Sequence, residues 1–252
     1  MSETYSAVDA SADVAGAIEW QERIDRWPAV AAYKAAMDRL GGTAAPMVEI
    51  GSGPGTDAAR VGALGVDLSL AMAKRARQRA VPMTVGDAHR LPIAGGSVGV
   101  VRADRVLQHL EEPQVALEEM VRILRPGGHL VVADPDQQTL SITVPGVPDR
   151  ITSTVRRLRR DVGYRNGRVA AETAGRLSAI GLVDLKVEAS ALVLTDPDLA
   201  FGLPGWVARW AEVAGFDRSD DRLWRARLAA TKDAGFVYAV TYLVTCGRKP
   251  CT

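Results

Sequence analysis

Hydrophobic positions change period along this chain, and each change marks a different kind of element. From residue 14 to 40, apolar side chains recur at helical spacing (Val14, Ile18, Trp20, Ile24, Trp27, Val30, Tyr33, Met37, Leu40), broken at Pro28. From 46 to 135, short apolar runs alternate with helical stretches, the pattern of a parallel sheet with crossover helices. Helices are expected at about 69–79, 104–108 and 113–124. Residues 137–150, rich in Thr, Ser, Pro and Gly, read as a loop. Beyond it the spacing predicts helices at about 151–162 and 168–180, then a strand at 183–194. Helices at 196–215 and 218–234 and a final strand at 237–246 complete the chain. No internal repeat or low-complexity tract is visible.

The first apolar run ends in Val48-Glu49-Ile50-Gly51-Ser52-Gly53-Pro54-Gly55-Thr56. Glycine permits positive φ and leaves no Cβ, so the backbone passes close to a ligand. A strand, a glycine turn and a helix start make a nucleotide-sized cradle of N–H groups. The spacing departs from the dinucleotide fingerprint, because Thr56 stands where a third glycine or alanine belongs. No Gly-Lys-Ser/Thr ending follows, so a phosphate-binding P-loop is also excluded. A loop without a phosphate-specific group suits a nucleoside ligand without phosphate, such as S-adenosyl-L-methionine (SAM).

Two acidic residues sharpen this. Leu64-Gly65-Val66-Asp67 reads as a second strand ending in Asp67, and in a right-handed βαβ unit that tip lies beside the ribose. A third short strand leads to Asp87, placed to accept from the exocyclic amine of adenine. A turn or helix-cap role is the plain alternative for each.

With these residues in order, the chain resembles a class I SAM-dependent methyltransferase of the small-molecule kind, grouped with the ubiquinone/menaquinone methyltransferases. Glu49 to Gly55 match the first family motif. Val66-Asp67-Leu68-Ser69 with Met72 match the second, and Gly86-Asp87-Ala88-His89-Arg90-Leu91-Pro92 the third. Ser97 to Leu110 match the fourth strand and its helix, and Leu124 to Leu130 the turn before the fifth strand. The resemblance is specific over about residues 46 to 135. It implies an α/β, Rossmann-like seven-stranded sheet, mostly parallel, with helices on both faces and the last strand antiparallel. Residues 1–40 and 137–235 would then be a helical lid over a single domain. It also implies SAM as cofactor, held by Glu49, Gly51, Gly53, Gly55, Asp67, Leu68, Met72, Asp87 and Ala88, with Arg102 and Ala103 ending the fourth strand beside it. Three features depart from the family pattern: a short first crossover, Pro54 in the loop, and Val98-Gly99 where Phe-Asp is frequent.

Composition narrows the partners. The 252 residues carry a net charge of +1 and 47% hydrophobic content, enough for one large α/β core without bulk attraction to nucleic acid or membrane. A small-molecule acceptor is therefore expected, and a homodimer is left open. The only cysteines, Cys246 and Cys251, argue for a reducing, cytoplasmic setting and against a disulfide or zinc framework. No leader peptide or 18-residue apolar span is read.

His109, after the fourth strand, is the candidate catalytic base, since an imidazole near pKa 6.5 suits proton transfer at neutral pH. Packing beneath the cofactor is the alternative. His89 and His129 read as surface residues, and Asp134 and Asp136 as turn residues around Pro135. In the arginine-rich stretch 150–168, Ile151, Val155, Leu158 and Val162 form an apolar stripe. Arg156, Arg157, Arg159 and Arg160 read as its solvated basic face, with selection of an anionic acceptor, or of RNA, as the alternative; neutral overall charge and no interleaved aromatic beyond Tyr164 speak against RNA. Trp20, Trp27, Trp206, Trp210 and Trp224 read as core packing or as an aromatic acceptor pocket. Methyl transfer is the expected activity; a SAM-binding scaffold catalysing a non-methylating step such as cyclisation needs the same cradle.

Overall fold

The computed structural model describes residues 5–11, 13–200, 217–231 and 235–251. The apolar runs become β1 (Met47–Ile50), β2 (Leu64–Asp67), β3 (Met83–Val85), β4 (Val98–Asp104), β5 (Leu124–Thr143), β6 (Val183–Leu194) and β7 (Val237–Arg248). They form one seven-stranded sheet in the order β3-β2-β1-β4-β5-β7-β6. β1 to β5 pair in parallel, and β7 enters antiparallel between β5 and β6. The strand order reverses between β1 and β4, and there the outgoing connections leave a crevice at the carboxyl ends of the strands.

The helices are α1 (Val14–Ile24), α2 (Pro28–Gly41), α3 (Thr56–Val61), α4 (Leu70–Arg77), α5 (Pro113–Ile123), α6 (Asp149–Leu158), α7 (Val169–Ala179) and α8 (Arg218–Ala230). Alternation along β5 sorts them into layers. Val131 and Ala133 join a core with α2, α6 and α8, while Leu130 and Val132 join a second core with α5 and α7. A smaller cluster of Ala58, Ala63, Ala73, Ala76, Val81 and Met83 lies under α3 and α4. The short first crossover expected from the sequence is the six-residue α3.

Three expectations need correction. Residues 137–150 are not wholly loop: after a register shift between Asp136 and Ser141, β5 continues to Thr143 beside Val237–Ala239. The fourth crossover has no helix at 104–108; β4 runs to Asp104 and a 3-10 turn follows over Leu107–His109. The N-terminal lid divides in two. α2 buries Val30, Tyr33, Ala36 and Met37 against the sheet and is a layer of the fold. Only the 3-10 turn Tyr5–Ala10 and α1 remain above the crevice, the turn held by Asp9, which accepts from Ser69 Oγ and from the Leu70 and Ala71 amides. The helix expected at 196–215, with Trp206 and Trp210, lies almost wholly outside the described residues; Pro197–Leu199 form a 3-10 turn. Trp224 is buried in the core, as expected for packing.

Gly99, a departure from the family pattern, has a steric reason. The chain entering β1 crosses directly over it, and a Cβ there would lie 2.4 Å from the Ala44 carbonyl oxygen. The Gly99 amide donates to the Pro46 carbonyl at 2.8 Å. Gly99→Ala is expected to destabilise the fold by about 1–3 kcal/mol through overpacking. A urea midpoint unchanged from wild type would show that the crossing segment moves aside freely.

Candidate functional site

A cavity of about 400 Å³ opens at the carboxyl ends of β1, β2, β4 and β5, a size suited to a nucleoside-type ligand. Its floor is the loop after β1. Gly51 and Gly53 hold φ of 65° and 53°. A Cβ on Gly51 would strike Val106 Cγ2 at 2.4 Å, whereas one on Gly53 would meet nothing within 4 Å. Glycine is thus required at 51 for packing and keeps the backbone bare at 53, facing open space.

At the end of β2, Asp67 Oδ2 accepts from the Gly53 amide at 2.7 Å and Oδ1 from the Ser69 amide at 2.9 Å. Burial outweighs these two bonds and raises the Asp67 pKa above its ordinary value. Leu68 and Met72 continue this wall. Opposite, Asp87 Oδ1 accepts from the His89 amide at 2.9 Å and lies 2.6 Å from His89 Nδ1. His89 Nε2 accepts from the Glu112 amide at 3.3 Å, so its proton sits on Nδ1. His89 is therefore a wall of the cavity rather than a surface residue, and it ties the Asp87 loop to the start of α5.

Beneath the glycine loop lies a buried charge cluster. Glu49 and Arg102 are register partners on β1 and β4, on the face toward α2. Arg102 is 1% exposed and donates to Asp38 at 2.6 Å and Asp57 at 2.8 Å. Lys34 lies 3.0 Å from Asp25, 3.5 Å from Asp104 and 3.8 Å from Asp57. Arg105, in the left-handed region at φ 59°, donates to Asp25 at 2.7 Å. Burial, and then the charge of Asp57, raise the Glu49 pKa well above its ordinary value. Burial opposes ionisation of Asp57 too, but Lys34, Arg102 and Arg60 hold it far below its ordinary value.

The far end of the cavity is aromatic and cationic. His109 faces Tyr164 with ring centroids 5.5 Å apart. Burial, then the charges of Arg105 and Arg159, push its pKa down to about 4. The expectation of a base near 6.5 is thus corrected: His109 is neutral but weakly basic. Arg159, read from the sequence as solvated, is 1% exposed. It lies in the row Ile151, Val155, Arg159, each four residues apart, and so belongs to the apolar stripe of α6 continued by the π-helical turn Arg159–Gly163. Asn166 staples this segment to the His109 turn: its Nδ2 donates to the Leu107 and Leu110 carbonyls at 3.2 and 2.6 Å, and its amide to the Gln108 carbonyl at 3.1 Å.

The cavity wall brings together Glu49, Gly51, Gly53, Asp67, Leu68, Met72, Asp87, Ala88 and His109. Gly55, Arg102 and Ala103 are not on it. Gly55 caps α3 against Ala76, and β4 runs past Arg102 and Ala103, so Arg102 turns to the charge cluster and Ala103 to the apolar core. Asp134 and Asp136 are corrected too: both are buried in β5, and burial followed by the charge of Asp104 raises the Asp134 pKa well above normal. Sequence reading missed Lys34, Arg105, Tyr164, Tyr238 and Tyr242 as cavity walls. The row through Arg159 was a legible signal. The others come from elements far apart in the chain, and no local pattern marks them.

A methyltransferase domain model matches residues 48–132. An uncharacterized 37.1 kDa transposon protein of Streptomyces fradiae is 34% identical over 62% of this chain and 49% of its own length. The demethylmenaquinone methyltransferase of Mycobacterium sp. (strain KMS) is 38% identical over 39% of this chain and 40% of its own. The chain thus spans about half the length of these curated relatives, or less. Among solved structures, a phosphoethanolamine N-methyltransferase 2 of Haemonchus contortus, in complex with phosphomonomethylethanolamine and S-adenosylhomocysteine, aligns with a TM-score of 0.58. That match is 18% identical and covers 98% of this chain and 61% of the other, a likeness of fold.

Two outcomes follow from this geometry. Arg102→Ala leaves Asp38 and Asp57 without their buried cation and is expected to cost about 3–5 kcal/mol, read by urea unfolding; a loss below 1 kcal/mol would mean that water replaces the guanidinium. For His109, the unfolded chain takes up its proton near pH 6.5 and the folded chain only near 4. Stability therefore falls as pH drops through that window. Wild type should lose about 2 kcal/mol more than His109→Gln between pH 7 and pH 5. Parallel losses in the two proteins would contradict the depressed value.

Proposed function

We propose that this chain, a class I SAM-dependent methyltransferase related to the quinone methyltransferases, transfers the methyl group of SAM to a small-molecule acceptor. The observation that carries this is the continuity of one cavity from the glycine loop and Asp67 to the His109–Tyr164 end. A nucleoside cradle and a second chamber in one enclosure are what a two-substrate transfer needs.

The residues fit the cofactor. Asp67 keeps lone pairs for the ribose hydroxyls beyond its bonds to Gly53 and Ser69. Leu68 and Met72 offer apolar faces to adenine, with Asp87 and the Ala88 backbone at its polar edge. The bare backbone at Gly51 and Gly53 makes room for the amino-acid arm. Lys34, Arg105, Asp25 and Asp104 supply cations and carboxylates for its charged end, over the buried Glu49. When bound, SAM supplies a methyl group already activated by its sulfonium. The protein's part is to hold the acceptor oxygen, nitrogen or carbon in line at near-attack distance, which contributes about 7–11 kcal/mol through proximity. His109 and Tyr164 orient it, and the turn carrying Val8 with α1 keeps water out. Among the described residues no helix is long and apolar enough to cross a membrane. The setting we propose is cytoplasmic, in bacterial specialised or quinone-type metabolism.

Incubation with methyl-labelled SAM and a metabolite extract of the source cells should place label in a small molecule and release S-adenosylhomocysteine in equal amount. A metabolite converted without label, with SAM bound but not consumed, would instead establish the cyclisation type of reaction. Asp67→Ala should weaken S-adenosylhomocysteine binding by roughly 1–3 kcal/mol in calorimetry. Unchanged affinity would remove Asp67 from the cofactor site.

A further inference from the structure

Transfer to a hydroxyl oxygen requires that oxygen to part with its proton, and the chamber holds a poor base for the purpose. His109, pushed down to about 4, cannot retain a proton taken from a phenol or an alcohol. The opposite wall supplies fixed positive charge instead. The Arg159 Nη2 donates to the Tyr164 hydroxyl at 2.8 Å, and Nε to Gln137 Oε1 at 3.3 Å. These two bonds help to hold the guanidinium plane in place. Its Cζ lies 5.2 Å from the Tyr164 ring centroid and 5.3 Å from that of Tyr238. Tyr164 thus bridges Arg159 and His109, and all four side chains line the cavity. Arg105 adds a second cation, bonded to Asp25 and facing Asp104. Among the described residues, Arg165 and Glu111, 3.8 Å apart, are further charged walls here.

We propose that the acceptor binds as an oxyanion (a phenolate, enolate or carboxylate) with its charged oxygen held by the field of Arg159 at the His109–Tyr164 end. This deepens the methyltransferase reading and rests on it. The oxyanion lone pair forms the new O–CH₃ bond while the C–S bond breaks, its electron pair staying on sulfur. The negative charge of the acceptor and the positive charge of the sulfonium cancel. No proton is released, so a weak base suffices. A guanidinium fixed in advance in a partly dry chamber suits such a charge, because it needs no reorganisation during the reaction. His109 is then a neutral orienting neighbour, and Arg159 is the residue that selects the ionised acceptor.

The test uses wild-type protein saturated with S-adenosylhomocysteine and 4-nitrophenol as probe, its phenolate read by absorbance across pH. The bound probe should ionise at least about one pH unit lower than the free probe, a tenfold preference for phenolate. Arg159→Gln should restore the free value while S-adenosylhomocysteine affinity stays within twofold, and Arg159→Lys should keep most of the shift. In wild type alone, the neutral 4-nitrobenzyl alcohol should compete at least tenfold more weakly than the phenolate. Preferential binding of the neutral phenol, no binding of phenolate at millimolar concentration, or an undiminished shift in Arg159→Gln would overturn the proposal. Failure of S-adenosylhomocysteine to bind wild type would overturn the methyltransferase reading itself, and this inference with it.

Discussion

The ion-pair cluster beneath the glycine loop is the constraint on which the rest of the site depends. Lys34, Arg60, Arg102 and Arg105 face Asp25, Asp38, Asp57 and Asp104, with Glu49 buried among them and its pKa raised by that burial. Buried ions offset their desolvation only when geometry and charge balance are both good. Here four cations face four aspartates. The cluster joins α2 to β1, α3 and β4, and the Asp25 just past α1 to β4. It therefore fixes the height of α1 above the crevice and the positions of the loops at both ends of α3. Apolar packing alone would hold α2 on the sheet without setting its register so closely.

The same electrostatics divides the cavity. Near the glycine loop, cations and carboxylates alternate, suited to a zwitterionic group. At the far end the described charges are dominated by Arg159 and Arg105, and burial followed by the fields of Arg105 and Arg159 depresses His109. Between the two ends, burial and then the charge of Asp104 raise the Asp134 pKa well above its ordinary value. Asp134 accepts from the Gln108 amide at 3.5 Å and so supports the turn that carries His109. Asn166 holds that turn from the opposite side. The turn is thus clamped between β5 and the segment after α6, which keeps His109 and Tyr164 facing one another.

Local sequence made the cofactor half of the site legible. Gly51 and Gly53 announce a backbone with positive φ, packed against Val106 at 51 and bare at 53, and Asp67 and Asp87 stand at strand ends because the apolar runs stop there. The alternation of strands and helices implied the sheet, and the antiparallel last strand followed from the family resemblance. The acceptor half was far less legible. Its walls come from α1, the His109 turn, β5, the segment after α6 and β7. No spacing rule relates Tyr164 to Tyr238, or Asn166 to Leu110.

The sequence by itself determined the period of most elements and the glycine loop with its acidic partners, while the burial of Arg159, read as solvated, was decided by the packing of the turn that follows α6. It could not determine charge states. Whether Glu49 carries a proton, whether His109 is a base near 6.5 or a neutral ring near 4, and whether Arg102 faces ligand or core all depend on burial and on charges brought from distant segments. Those energies arise only when water is excluded and the groups meet, so the tertiary structure alone decided them.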